Sequence, residues 1–283
     1  MKKIISLFVF SFILYQSAFA QSLCWQIRGK GIKSPSYIYG TMHLADQRVI
    51  DKANNATKLL AKSKVYAMEL DPDNVDMSKV FKLLTASTGH SIKAQLTDQE
   101  WQLLDAIFKA KTNTSVSSFD SVQPFIIATL ISTTINTNND EKATILDLHF
   151  YNLAQIKKIP TIGIETVDEQ LDVFAKLSYA EQITMLRKAI LEENTNQNEF
   201  DYIMKYYLAG DIDSLLDLSN DPSIPKEFAD ALLKSRNEKM AMRIASFIKS
   251  KSHFIGIGAL HLPGEQGVLN LLRKKGFKIT AVK

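Results

Sequence analysis

The stretch His253-Phe254-Ile255-Gly256-Ile257-Gly258-Ala259-Leu260-His261 decides how the rest of the chain is read. Its first five residues form an apolar run of strand length, bounded by a glycine and rich in Ile and Phe, which reads as a buried β-strand. The run breaks at Gly258, and a histidine follows three residues later. An apolar strand has no structural need of a histidine at its end, whereas the carboxyl ends of parallel strands are where α/β sheets bind ligands. The same pattern stands near the other end of the chain, where residues 37–41 end in Gly40-Thr41-Met42-His43. Only 11 glycines are spread over 283 residues, so sharing a glycine three places before two of five histidines is a rare coincidence. A glycine at a strand end turns the chain sharply and admits close approach of a ligand or a second backbone.

Outward from these two motifs, runs 65–70, 161–165 and 277–282 also have strand length and β-branched or aromatic character. Longer helical patterns lie between them. Thr97-Asp98-Gln99-Glu100 and Ser178-Tyr179-Ala180-Glu181 read as capping boxes, and Pro225 opens a helix expected to pass Met240 and reach Phe247. Residues 83–207 are almost wholly helical, while strands gather at both ends. The expected fold is α/β: a small central, mostly parallel sheet with a large helical insertion, in one domain spanning 21–283.

The first residues predict export. Lys2 and Lys3 precede an apolar run at 4–15 and the small-residue box Ala18-Phe19-Ala20, a signal peptide over 1–20 that is too short to span a bilayer. The mature chain is expected in the periplasm or secreted, with no membrane span. The formal net charge of +4 falls nearer neutrality once Lys2 and Lys3 are removed, and no basic run alternates with aromatics, which argues against a nucleic-acid partner. Cys24, the single cysteine, has no intrachain partner and reads as a buried free thiol beside Trp25.

Four of the five expected strands finish on a polar group: His43, Glu69, Glu165 and His261. Two imidazoles and two carboxylates converging at one sheet edge suit a divalent cation such as manganese, cobalt or zinc. Blander roles stand beside this one. Either histidine serves equally as a backbone-bonded cap, Glu69 as the partner of a nearby arginine, and Glu165 as the cap of the next helix. Asp147, His149 and the Arg236-Asn237 pair lie in helical patterns, where such residues are more often solvated or salt-bridged.

With these residues in hand, the sequence resembles the TraB/PrgY/GumN family, to which the Tiki metalloproteases belong. The matching stretches are Cys24-Trp25-Gln26-Ile27, Tyr37 through His43, Glu69-Leu70, Leu146-Asp147, Gly163-Ile164-Glu165-Thr166 with Gln170, Arg236-Asn237, and Gly256 through Gly264. The family pattern has a glycine before the aspartate where this chain has Leu146. The resemblance implies an erythromycin-esterase/ChaN-like type of fold and, on the Tiki branch, a divalent-metal-dependent peptidase. On that reading His43, Glu165 and His261 hold the metal, Glu69 acts as general base, and Arg236 stabilises the oxyanion of a peptide or protein substrate. The alternative is a non-enzymatic envelope protein that takes haem, a metal or a peptide signal in the same cleft. The leader predicts a mature chain beginning at Gln21, and N-terminal sequencing of envelope-derived protein should find it there; recovery of intact Met1 in the membrane fraction would refute export with cleavage.

Overall fold

The computed structural model describes residues 21–29, 31–85, 90–133, 144–192 and 196–282; the expected signal peptide lies outside them. Six strands form one sheet in the order β4-β3-β5-β2-β1-β6. They are β1 (Cys24–Arg28), β2 (Ser36–Thr41), β3 (Val65–Met68), β4 (Thr161–Gly163), β5 (His253–Gly258) and β6 (Lys278–Val282). Neighbours among β4, β3, β5 and β2 are parallel, whereas β1 is antiparallel to both β2 and β6 and so runs alone against the rest.

The strand not expected from the sequence is β1. Its residues Cys24-Trp25-Gln26-Ile27-Arg28 mix apolar and polar side chains ahead of Gly29, yet hydrogen bonding on both edges makes it an interior strand, with Trp25 opposite Ile38 on one side and Ala281 on the other. Cys24 is free and buried in it, and burial pushes its thiol up to about 12.

Side-chain alternation divides the sheet into two apolar faces. Tyr39, Tyr66 and Phe254 share one face and meet Phe150 of the helix Leu146–Ile156 at ring-centroid distances of 5.5, 6.3 and 5.0 Å. Ile38, Ile255 and Ile257 point the other way and are fully buried. Helices Asn54–Leu60, Arg236–Phe247 and Val268–Lys274 contribute to the same core. The inserted helices Asp98–Thr112, Pro124–Thr133 and Tyr179–Leu191 build a second apolar cluster around Leu104, Phe108, Ile127 and Leu186. Among the described residues no helix is long and apolar enough to cross a membrane.

Both expected capping boxes form, Thr97 with Glu100 and Ser178 with Glu181. A third, Thr166 with Glu169, starts the helix Val167–Phe174 and removes the need for Glu165 to act as its cap. The helix opened by Pro225 runs to Phe247 but is not uniform: Lys226–Ala229 is α-helical, Asp230–Ser235 is a π-helical turn, and Arg236–Phe247 is α-helical again. A π turn inserts an extra residue and re-aims whatever follows. Here that residue is Arg236.

Arg243 clasps the turn between β4 and its helix. It donates to the Ile164 carbonyl at 2.7 Å and to both carboxylate oxygens of Glu169 at 2.7 and 2.8 Å. The Arg243 bond, opposed by partial burial and aided by the Thr166 amide, draws Glu169 down to about 2. A carboxylate with a depressed folded pKa stabilises the fold above its unfolded value near ~4.3 and loses that contribution as pH falls toward the folded one. Arg243→Met should therefore cost roughly 1–2 kcal/mol at neutral pH, a figure reduced for the solvent access of the guanidinium. In urea unfolding followed by circular dichroism, the gap from wild type should close between pH 5 and pH 2; a gap independent of pH would contradict this account.

Candidate active site

Because β4, β3, β5 and β2 are adjacent and parallel, the residues that follow them emerge on one edge. Across that edge come Glu165 after β4, Glu69 after β3, His261 after β5 and His43 after β2. The β3–β4 pairing continues past the strands proper: Ile164 donates to the Met68 carbonyl at 2.7 Å and Glu165 to the Glu69 carbonyl at 2.9 Å. That register places two glutamates side by side. Glu69, Glu165 and His261 are buried, whereas the His43 side chain is 61% exposed.

Two buried carboxylates in register repel each other unless a cation lies between them. Arg236 is that cation. Its Nη2 donates to Glu69 Oε2 at 2.7 Å and to Glu165 Oε2 at 2.6 Å, and its Nε donates to Glu165 Oε1 at 3.0 Å. Gln170 Nε2 spans the same pair, 3.2 Å from Glu165 Oε2 and 3.4 Å from Glu69 Oε2. The remaining oxygen of Glu69, Oε1, accepts the Gly258 amide at 2.7 Å. Burial pushes the Glu69 carboxyl up, but His261, the permanent charge of Arg236, His43 and the Gly258 amide outweigh it and hold the group at about 2.

The motif glycines make room for these contacts. A Cβ on Gly258 would lie 3.3 Å from Glu69 Oε1 and 3.5 Å from His261 Cδ2. A Cβ on Gly40 would come within 2.9 Å of Leu262 Cδ1 and 3.0 Å of Ala259 Cα, inside the turn that carries His261. The glycine of the first motif is thus a seat for the second. Tyr207 fixes that strand end further by donating its hydroxyl to the Gly40 carbonyl at 2.9 Å.

Each histidine is backed at Nδ1. His261 Nδ1 lies 2.6 Å from Asn237 Oδ1, and Asn237 Nδ2 donates to the Gln266 carbonyl at 3.0 Å, which fixes the amide orientation. By that network Nδ1 of His261 carries the proton and Nε2 keeps its lone pair. Nε2 faces Glu69 Oε1 at 3.8 Å, too far for a hydrogen bond. Burial, and the positive field of Arg236 opposed by that of Glu69, lower the His261 pKa and keep the ring neutral at pH 7. His43 Nδ1 lies 3.0 Å from Asp147 Oδ2, an ion-pair distance without the alignment of a full hydrogen bond, and Thr41 Oγ1 donates to Asp147 Oδ1 at 2.8 Å. Pairing with Asp147 raises His43 to about 9.

The structure therefore gathers Glu69, Glu165, Arg236 and His261 into one contiguous network and sets His43 at its solvent side. Glu165, expected to bind metal, has its carboxylate engaged by Arg236 and Gln170 and its side chain wholly buried. Arg236, expected at an oxyanion, is held by two carboxylates and is 12% exposed. Glu69, expected as base, turns Oε1 toward His261. Among the described residues no group of three or more His, Cys, Asp or Glu side chains is disposed to hold a metal ion. Asn237, Asp147, Thr41 and Gln170 are the functional partners that sequence reasoning undervalued. The signal for Asp147 was a carboxylate between Leu146 and Leu148 at the start of an apolar helix; Asn237 had only its place beside Arg236.

The fold and this edge define an α/β protein with two imidazoles and an arginine-bridged glutamate pair at the carboxyl ends of four parallel strands. The chain belongs to the TraB/PrgY/gumN family, whose model matches residues 23–281. Among curated proteins it is similar to Metalloprotease TIKI1 of Danio rerio, 22% identical with 91% of this chain and 62% of that protein covered. Metalloprotease TIKI1 of Homo sapiens is 21% identical over 93% of this chain and 62% of its own length. The Metalloprotease TIKI homolog of Amphimedon queenslandica is 22% identical with the same two shares. The chain thus spans about three fifths of the length of these relatives. No solved structure matches.

Removing Arg236 leaves two buried carboxylates facing each other without compensation. Arg236→Met should lower unfolding free energy by about 3–5 kcal/mol. Adding Glu165→Gln should recover part of that loss, because coupled partners are not additive. A urea-denaturation cycle on the four proteins measures this, and strictly additive losses would show that the bridge is not the coupling.

Proposed function

We propose that this chain is an exported, divalent-metal-dependent hydrolase acting on peptide bonds of peptide or protein substrates in the cell envelope. The observation that carries the reading is the pairing of a neutral, buried His261, its proton held at Nδ1 by Asn237, with an ionised Glu69 whose Oε1 lies 3.8 Å from the free Nε2. A lone pair facing a carboxylate oxygen at that distance serves neither as a hydrogen bond nor as packing. In residue type, though the described side chains are not grouped around one point, the donors suit a divalent cation: each imidazole has a polar partner at Nδ1, the arrangement that orients metal-binding histidines. His43, on giving up its proton, would hold manganese, cobalt or zinc together with Glu69 and His261. Such an ion supplies Lewis acidity that polarises an amide carbonyl and acidifies water. The metalloprotease names of the relatives agree with this chemistry.

The other residues act on these three. Arg236 keeps Glu69 ionised and fixed, and Glu165, itself braced by Gln170, holds Arg236 in place. This differs from a ligand role for Glu165 and an oxyanion role for Arg236, because both side chains are already fully engaged with each other. Asp147, itself held by Thr41, orients His43, and Asn237 fixes the tautomer of His261.

Titration calorimetry of EDTA-treated protein with Mn²⁺, Co²⁺ and Zn²⁺ tests the assignment. His43→Ala, His261→Ala and Glu69→Gln should each remove measurable binding, and Asn237→Leu should weaken it about 10–100-fold. Glu165→Gln should change stability more than affinity. A quenched-peptide library should be cut by the metal-loaded wild type and spared by the EDTA-treated protein. Undiminished affinity in both histidine variants would overturn the reading.

A further inference from the structure

We propose that the groove leading away from His43, between the inserted helical layer and the helix Asn196–Ala209, is the subsite for a large apolar side chain of an extended, non-acidic peptide, beside the bond that the cleft would cleave. This rests on the peptidase reading and names its substrate class.

The groove encloses about 470 Å³, within the range of small-ligand sites. Its walls come from separate parts of the chain. Phe125 stands on the helix Pro124–Thr133, Met185 on Tyr179–Leu191, Phe200 and Ile203 on Asn196–Ala209, Leu44 just beyond β2, and Ile224 on the loop before the π-bearing helix. All six are half-buried: the fold brings their apolar surface together, and the described residues leave the space between them open. A lining of this kind takes an apolar group, because burying it there removes water from both surfaces.

Two observations choose the occupant. First, His43 lines the groove as well as the catalytic edge, so a side chain seated in it belongs to a residue at or next to the reacting bond. Second, among the described residues the polar part of the lining carries Glu192, Glu199 and Asp221 against two bases that already have carboxylate partners: His43 with Asp147, and Lys188, which is ion-paired with Asp221 and donates to Ser223 Oγ at 3.0 Å. A surplus of negative charge at the rim repels acidic peptides and the two carboxylates of haem, and favours a neutral or basic flank. Its far-end residues lie on the inserted layer, so the insertion supplies specificity while the sheet edge supplies chemistry.

The test uses three fluorescein-labelled octapeptides with a basic flank, differing only at the centre or the flank: central Leu, central Ala, and central Leu with the flanking Lys replaced by Glu. Fluorescence anisotropy with EDTA-treated protein reads binding without turnover. The Leu peptide should bind about tenfold more tightly than the Ala peptide, the scale of discrimination for a few methylene groups, and the acidic peptide more weakly than its basic counterpart. Ile203→Asp and Phe200→Ala should erase the Leu/Ala preference while thermal melts show a folded protein; the wild-type comparison decides alone if either fails to fold. With Mn²⁺ added, mass spectrometry should place cleavage within two residues of Leu. Equal binding of Leu and Ala peptides, or none at millimolar concentration, overturns the groove assignment. Hydrolysis indifferent to Leu or Ala overturns it while leaving the peptidase standing. A preserved Leu preference with no hydrolysis under any metal supports the groove and removes the peptidase.

Discussion

A single guanidinium between two buried carboxylates organises the edge of the sheet where the parallel strands end. Burying one carboxylate is costly and burying two side by side is worse, so the Glu69–Glu165 pair exists only because Arg236 lies between them with charge and four donor contacts. Such a bridge is a weak source of net stability, since desolvation consumes much of the attraction. Its value is positional. It requires the β3–β4 register that aligns the two glutamates and the π turn at Asp230–Ser235 that aims Arg236, and it returns a Glu69 fixed in its ionised form with one oxygen turned to the cleft.

The two Gly-x-x-His elements carry the histidines, but their glycines do as much. Gly258 lets a carboxylate reach a backbone amide beside an imidazole, and Gly40 lets the first motif's strand press against the second motif's turn. Two sequences more than two hundred residues apart are thereby made into one steric unit by β2 and β5 lying side by side.

Much of this was legible in the chain. Short apolar runs with polar ends gave the parallel strands and the edge on which His43, Glu69, Glu165 and His261 emerge, because the strand period and the parallel topology are local consequences of sequence. What escaped was pairwise. Strand β1 has mixed polarity and is a strand because β2 and β6 supply hydrogen bonds on both sides, which no local pattern encodes. The division of labour between the two glutamates depends on which one Arg236 and Gln170 occupy more fully, and the importance of Asn237 depends on a carbonyl at Gln266 that pins its amide. Residue type and spacing cannot reveal a hydrogen bond whose two ends meet only in the fold.

The asymmetry of the two histidines follows from the same geometry. His261 sits on a turn enclosed by Gly40, Asn237 and Glu69, so its ring is neutral, buried and committed in tautomer before any ligand arrives. His43 has one polar anchor, Asp147 on the helix Leu146–Ile156, and presents most of its side chain to solvent at the mouth of an apolar groove. A ligand approaching along that groove meets His43 first and the Glu69–His261 pair behind it. The pair is fixed by its own hydrogen bonds, while the exposed histidine and the inserted helices beside it shape the approach to it. Variation in the inserted layer can therefore reshape the groove without disturbing the arginine bridge on which the sheet edge depends.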